Sequence, residues 1–180
     1  DTIQITIQGL APTASFNATN FCFQDSVQFL DSSFAAAGDT LVSWLWDFDD
    51  GQTAIQQQPT HYFDTVANFR VSLKVTTDKN CSDTVSKVIT IQPKPEANFE
   101  IDNLITCSKE AVQFLESSFI SSGSITSYFW KFNDTSNFAD TAIVADPTYT
   151  FDTLGDYTIN LIVTSDQGCS DTILKNTFIN

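Results

Sequence analysis

Apolar and polar positions alternate with a period of two along most of the chain. Phe69, Val71, Leu73 and Val75 fall on one face of an extended segment, while Arg70, Ser72, Lys74 and Thr76 fall on the other, as in a strand with one face buried. Trp44, Trp46 and Phe48 form a second such face, and Tyr128, Trp130 and Phe132 followed by Tyr157, Ile159, Leu161 and Val163 repeat the arrangement further along. Turn-forming residues separate these segments, Asp50-Gly51 giving the clearest hairpin signal. The pattern predicts an all-β sandwich whose apolar faces meet as a core. No helical period is found. Ala35-Ala36-Ala37 is too short and runs into Gly38, which predicts a loop.

The same pattern occurs twice. Pro59-Thr60-His61-Tyr62-Phe63-Asp64-Thr65 recurs as Pro147-Thr148-Tyr149-Thr150-Phe151-Asp152-Thr153, and Cys81-Ser82-Asp83-Thr84 recurs as Cys169-Ser170-Asp171-Thr172, both displaced by 88 positions. Val27-Gln28-Phe29-Leu30 recurs as Val112-Gln113-Phe114-Leu115, displaced by 85, so the second copy holds extra residues, placed in a loop over 133–146. Asp1-Thr2-Ile3-Gln4-Ile5-Thr6-Ile7-Gln8 reads like Asp83-Thr84 followed by Val88-Ile89-Thr90-Ile91-Gln92. The expected organisation is therefore the last strand of a preceding copy over 1–12, a first repeat over 13–93 and a second over 94–180. The absence of Met fits a processed piece of a longer protein carrying more repeats. Gln92-Pro93-Lys94-Pro95 between the copies predicts a short, stiff connection, because proline fixes φ and removes a donor.

Composition narrows the function. The 16 Phe, 4 Tyr and 3 Trp supply enough apolar bulk for folded cores. Eight Lys plus Arg face 22 Asp plus Glu, a formal charge of −14 that repels phosphate backbones and argues against a nucleic-acid partner. No stretch approaches the roughly 18 to 20 apolar residues of a membrane-spanning helix, so no membrane insertion is expected.

Each copy carries two cysteines, Cys22 and Cys81 in the first and Cys107 and Cys169 in the second. Four cysteines permit three pairings. The pairing of Cys22 with Cys81 and of Cys107 with Cys169 respects the repeat boundary and is the one expected, one internal disulfide per repeat. Zinc is disfavoured by the lack of CxxC spacing and by a single histidine. Disulfides imply an oxidising, extracellular location.

Trp46-Asp47-Phe48-Asp49-Asp50-Gly51, followed by Pro59-Thr60-His61-Tyr62 and by Phe69-Arg70-Val71-Ser72-Leu73-Lys74-Val75, resembles the PKD repeat, whose pattern runs W-D-F-G-D-G, then N-P-x-H-x-Y, then G-x-Y-x-V-x-L-x-V. The resemblance extends over both copies. It implies two tandem immunoglobulin-like sandwiches from a surface protein, where such domains act as spacers, adhesive modules or accessories of secreted enzymes. The paired cysteines and the Gly168-Cys169-Ser170-Asp171-Thr172 setting are similar to PKD repeats of very large adhesins of gliding bacteria, exported by the type IX pathway. Asp49 stands where the family pattern has Gly, and Ala67-Asn68-Phe69 replaces G-x-Y, which Gly155-Asp156-Tyr157 retains. A tyrosine at that corner can tie its hydroxyl back to the backbone. Phe69 cannot. In the second copy Lys131-Phe132-Asn133-Asp134 replaces D-F-G-D, so any role of the acidic turn belongs to one copy.

Candidate chemistry is sparse. Asp47, Asp49 and Asp50 place three carboxylates at one turn, the best place for calcium, the one cofactor candidate; none is required. The O-glycosylation motif of such bacteria, Asp then Ser or Thr then a small or aliphatic residue, is matched at Thr2, Ser26, Thr40, Thr65, Thr84, Thr141, Thr153 and Thr172. Asp-Thr pairs also suit turns leading into strands. His61 has no nucleophile pattern beside it and Tyr149 takes its place in the second copy, which favours a structural ring over catalysis. No catalytic residues are expected. The function expected is a non-enzymatic structural or adhesive repeat of a long cell-surface protein, partnered by neighbouring repeats. The alternatives are an accessory module of a secreted hydrolase, holding polysaccharide or protein, and a self-assembling filament subunit.

Overall fold

The computed structural model describes residues 10–102, 110–134 and 140–179. The chain divides into two units, Asp1–Gln92 and Pro93–Asn180. In the first unit an antiparallel sheet orders β1 (Phe16–Thr19), β2 (Val27–Asp31) and β5 (Thr60–His61), and a second orders β4 (Thr53–Ala54), β3 (Leu41–Asp47), β6 (Asn68–Thr77) and β7 (Ser82–Thr90). The second unit repeats the plan. One sheet orders β12 (Thr148–Thr150), β9 (Ala111–Glu116) and β8 (Phe99–Asp102), and the other β11 (Thr141–Ala142), β10 (Ile125–Lys131), β13 (Gly155–Ser165) and β14 (Ser170–Ile179). Among the described residues there is no helix, and Ala35-Ala36-Ala37 lies in a loop. The all-β sandwich expected from the alternation is the observed fold.

The inner faces interdigitate as the period-two pattern requires. Val71, Leu73 and Val75 of β6 and Ile159, Leu161 and Val163 of β13 are fully buried, with Phe69 and Tyr157 nearly so. In each unit one indole bridges the two sheets. Trp46 on β3 lies with its ring centroid 5.1 Å from Phe16 of β1 and 5.4 Å from Phe29 of β2. Trp130 on β10 sits 5.0 Å from Phe99 and 5.7 Å from Phe114. Both contacts favour the edge-to-face or tilted geometry that the ring quadrupole prefers, each pair adding about 0.5–1.5 kcal/mol beyond its burial. The indole N–H, which would be costly to leave unpaired, donates to the carbonyl of Gln56 at 2.9 Å in one copy and of Val144 at 2.9 Å in the other.

The cysteines depart from expectation. Cys22 and Cys169 are disulfide-bonded and Cys81 carries a free thiol, so Cys22 is not joined to Cys81. Cys107 lies outside the described residues. The reason is the length of one strand. Cys81 immediately precedes β7, whereas Cys22 pairs with Gln92 just beyond its other end, with Phe23 donating to the Gln92 carbonyl at 2.8 Å. The 9 residues of β7, at roughly 3.3 Å each, set the two cysteines about 30 Å apart. A disulfide tolerates a Cα separation of about 7 Å at most. An internal bridge in the first repeat is therefore geometrically impossible.

Replacing Trp46 with Ala is expected to destabilise the first repeat by about 3–5 kcal/mol. Hydrogen exchange followed by mass spectrometry should show β3 and β6 losing protection while β10 and β13 keep theirs. Equal loss in both units would refute the assignment of separate cores.

Candidate functional site

The acidic turn between β3 and β4 is built by its own side chains. Phe48 N–H reaches the Gln52 carbonyl at 3.2 Å, closing the hairpin. Asp47 Oδ1 accepts the Asp49 N–H and Asp50 Oδ1 accepts the Gln52 N–H, both at 3.0 Å, as Asp side chains do when they fold a turn onto themselves. Asp49 Oδ2 reaches across to accept the Arg70 N–H of β6 at 2.8 Å. Asp50 Oδ2 accepts from His61 Nε2 at 2.6 Å. The imidazole is buried flat against Phe48, with centroids 3.9 Å apart and planes 2° from parallel. All three carboxylates of the calcium candidate are thus engaged within the protein. Among the described residues no group of three or more His, Cys, Asp or Glu is arranged to hold a metal ion.

The second copy rebuilds this corner with different atoms. Tyr149 stands in place of His61, stacks on Phe132 at 4.1 Å and donates its hydroxyl to Asp134 Oδ2 at 3.3 Å. Asp134 is buried there. The family's glycine position is explained as well. Asp49 has φ of 65° and its counterpart Asn133 has φ of 51°, the left-handed region where Gly is free and where Asp and Asn are the best-tolerated substitutes. Asp49 therefore departs from the pattern in name and fits it in backbone.

The corner before β13 behaves as expected for tyrosine. Tyr157 donates to the Thr153 carbonyl at 2.9 Å and pairs with the Thr153 hydroxyl at 2.8 Å. In the first copy Phe69 packs on Phe63 at 4.3 Å. Thr153 is thus a glycosylation candidate whose hydroxyl already has a partner. Ser26, Thr40, Thr65, Thr84, Thr141, Thr153 and Thr172 are all exposed, and Thr2 lies outside the described residues.

Three contacts were not anticipated. Asp83 Oδ2 accepts the Ala14 N–H at 2.9 Å and Asp171 Oδ2 accepts the Ala97 N–H at 2.8 Å, clamping the incoming chain of each repeat to the start of its last strand. Lys87 crosses from β7 to the Phe16 carbonyl and lies 5.1 Å from that ring's centroid; Lys175 does the same from β14 at Phe99, 4.8 Å away. These identical pairs at a displacement of 88 were a legible signal in the sequence. Asp31 is the third. Burial pushes its carboxyl up, but bonds from Ser33, Gln57 and Trp44 outweigh it and hold the group below the usual carboxylate range.

Two β-sandwich units built on one strand plan, each around an aromatic core, define a tandem repeat module. The PKD domain family matches residues 10–93 and again 92–179, and the chain belongs to that family. A pre-pro-metalloprotease, PrtV of Vibrio cholerae, is 29% identical over 102 residues, covering 53% of this chain and 11% of that protein. Collagenase ColQ1 of Bacillus cereus is 29% identical over 83 residues, 46% of this chain and 9% of the relative. The chain thus spans about a tenth of the length of these curated relatives. The solved PKD1 domain of Vibrio cholerae PrtV is similar at 31% identity and a TM-score of 0.41, covering 48% of this chain and 98% of that one.

Asp49→Gly is expected to leave stability within about 1 kcal/mol of the native chain, while Asp49→Val should cost at least that much, because a β-branched residue is a poor occupant of positive φ. Urea denaturation decides; similar losses for both would shift the turn's role to the carboxylate. Tyr157→Phe should cost about 1 kcal/mol through the lost corner bond. For Asp31 the folded-state value is depressed, so its contribution is present above the unfolded value and lost as pH falls through the folded one. Between about pH 5 and 2 the native chain should lose more stability than Asp31→Asn, by under about 1 kcal/mol because the carboxylate is largely solvated. Parallel pH profiles would overturn this.

Proposed function

We propose that this chain is a non-catalytic spacer from a long bacterial cell-surface protein made of tandem PKD domains. The observation that carries the reading is that the two copies keep the packing and exchange the chemistry. His61 with Asp50 and Tyr149 with Asp134 make the same stacked, hydrogen-bonded corner. A catalytic or ligand-binding histidine is not interchangeable with a phenol; a packing ring is. An extracellular setting is supported by disulfide-bonded Cys22 and Cys169 and by the charge of −14. No helix among the described residues is long and apolar enough to cross a membrane. Adhesion or gliding, export by the type IX pathway and glycans on the exposed Asp-Ser and Asp-Thr positions belong to the same proposal.

A second reading, an accessory module holding a hydrolase's substrate, is favoured by one fact: similar stretches occur in proteins named as a metalloprotease and a collagenase. Sedimentation of the purified chain with fibrillar collagen and with insoluble polysaccharides separates the two. The spacer reading expects no retention above that of an unrelated acidic protein. Saturable retention would replace it with the accessory-module reading.

A further inference from the structure

We propose that the outer face of the larger sheet in the second repeat is a docking surface for a second copy of this chain, two such faces stacking antiparallel about a twofold axis. The sheet is that of β11, β10, β13 and β14, whose inner face is the core already described. On the outer face Phe129 of β10 stands directly opposite Ile162 of β13, and Leu174 and Phe178 follow on β14. Leu174 is 62% exposed, Phe178 53% and Phe129 42%. The fold does not require these residues. On the same strand plan the first repeat carries Leu45 opposite Lys74, with Ser86 and Thr90 at the places of Leu174 and Phe178, and Val88 at that of Asn176.

Charge and register name the occupant. The chain has a formal charge of −14, yet the outward side chains of β10, β13 and β14 include one cation and one anion, Lys131 and Asp156, both exposed. Lys131 pairs with Asn160, and Asp156 lies four residues earlier on β13, about 14 Å away along the strand. Midway between these two levels Thr158 pairs with Asn176. A twofold axis crossing the strands at that pair brings Lys131 to the level of the partner's Asp156, one strand spacing of about 4.8 Å to the side, and does so twice. The same operation sets Leu174 over the partner's Phe178 and Phe178 over the partner's Leu174, since each lies two residues from Asn176. Opposite charges meet and apolar side chains cover one another. Elsewhere the acidic excess keeps two copies apart; this face carries no net charge to do so. The antiparallel overlay also keeps the strand directions of the two sheets aligned, as stacked sheets prefer.

Four strands about 4.8 Å apart and about ten residues long present roughly 500 Å² per copy, less than the about 800 Å² of a standard interface, so the pairing is weak. A twofold contact is also closed, giving dimers and nothing larger.

Sedimentation of the purified 180-residue chain from about 10 µM to about 1 mM covers the range in which so small an interface becomes populated. Expected is a mass that rises from that of the 19.9 kDa monomer towards twice that value and no further. Leu174→Ser combined with Phe178→Thr, the residues of the first repeat, should weaken pairing at least about tenfold without altering the fold. Lys131→Asp should weaken it several-fold, as should Asp156→Lys. The two together should restore it to within about threefold, a reciprocity that indiscriminate apolar contact does not show. A chain that stays monomeric throughout overturns the proposal and leaves the face to a partner of other chemistry. Growth beyond the dimer, or a double reversal no better than the single ones, overturns it equally. The spacer reading concerns ligands and not copies of the chain, so it stands or falls separately.

Discussion

Each unit depends on burying one indole between two sheets without stranding its N–H. Trp46 and Trp130 are the largest side chains in their cores and are fully enclosed. Enclosure is favourable only if the single donor finds an acceptor, and a loop carbonyl supplies it from the chain that crosses from one sheet to the other. That requirement fixes much else. The loop after β4 or β11 must pass close to the ring, the phenylalanines of the smaller sheet must meet the indole obliquely, and β3 or β10 must hold its register. Both copies show the same slip in pairing near the start of that strand, at Leu41/Ser43 and Ile125/Ser127. A bulge at such a point re-aims the residues that follow.

Much of this was legible in the residues. A period of two says which side chains face inward, and where the inward residues are Val, Leu and Phe the answer is unambiguous. The tyrosine corner was legible because a phenol beside an exposed loop has one obvious use. The cysteines were not, because counting pairs within a repeat ignores where a strand of 9 residues puts its two ends. Periodicity carries no information on distance between ends; only the run of the chain does. The use made of the acidic turn was not legible either, since three clustered aspartates do not say which backbone amide or ring nitrogen each carboxylate will engage.

The non-equivalence of the copies is informative in itself. Asp49 and Asn133 answer a demand of the backbone, and both satisfy it. His61 and Tyr149 answer a demand for a flat ring with one polar edge, and both satisfy that too. What varies between the copies is side-chain identity; what persists is the shape to be filled and the polar group to be matched. Selection for a reaction would hold identity and let the surroundings drift.

One feature of the clamp at Asp83 and Asp171 has a mechanical side. Within each repeat the chain arrives beside the start of the last strand and departs from that strand's far end. Tension applied through the chain therefore runs along β7 or β14 and pulls it lengthwise against β6 or β13. Nine and ten paired residues then resist sliding together instead of parting one by one. A domain pulled this way yields at far higher force than one peeled from an edge.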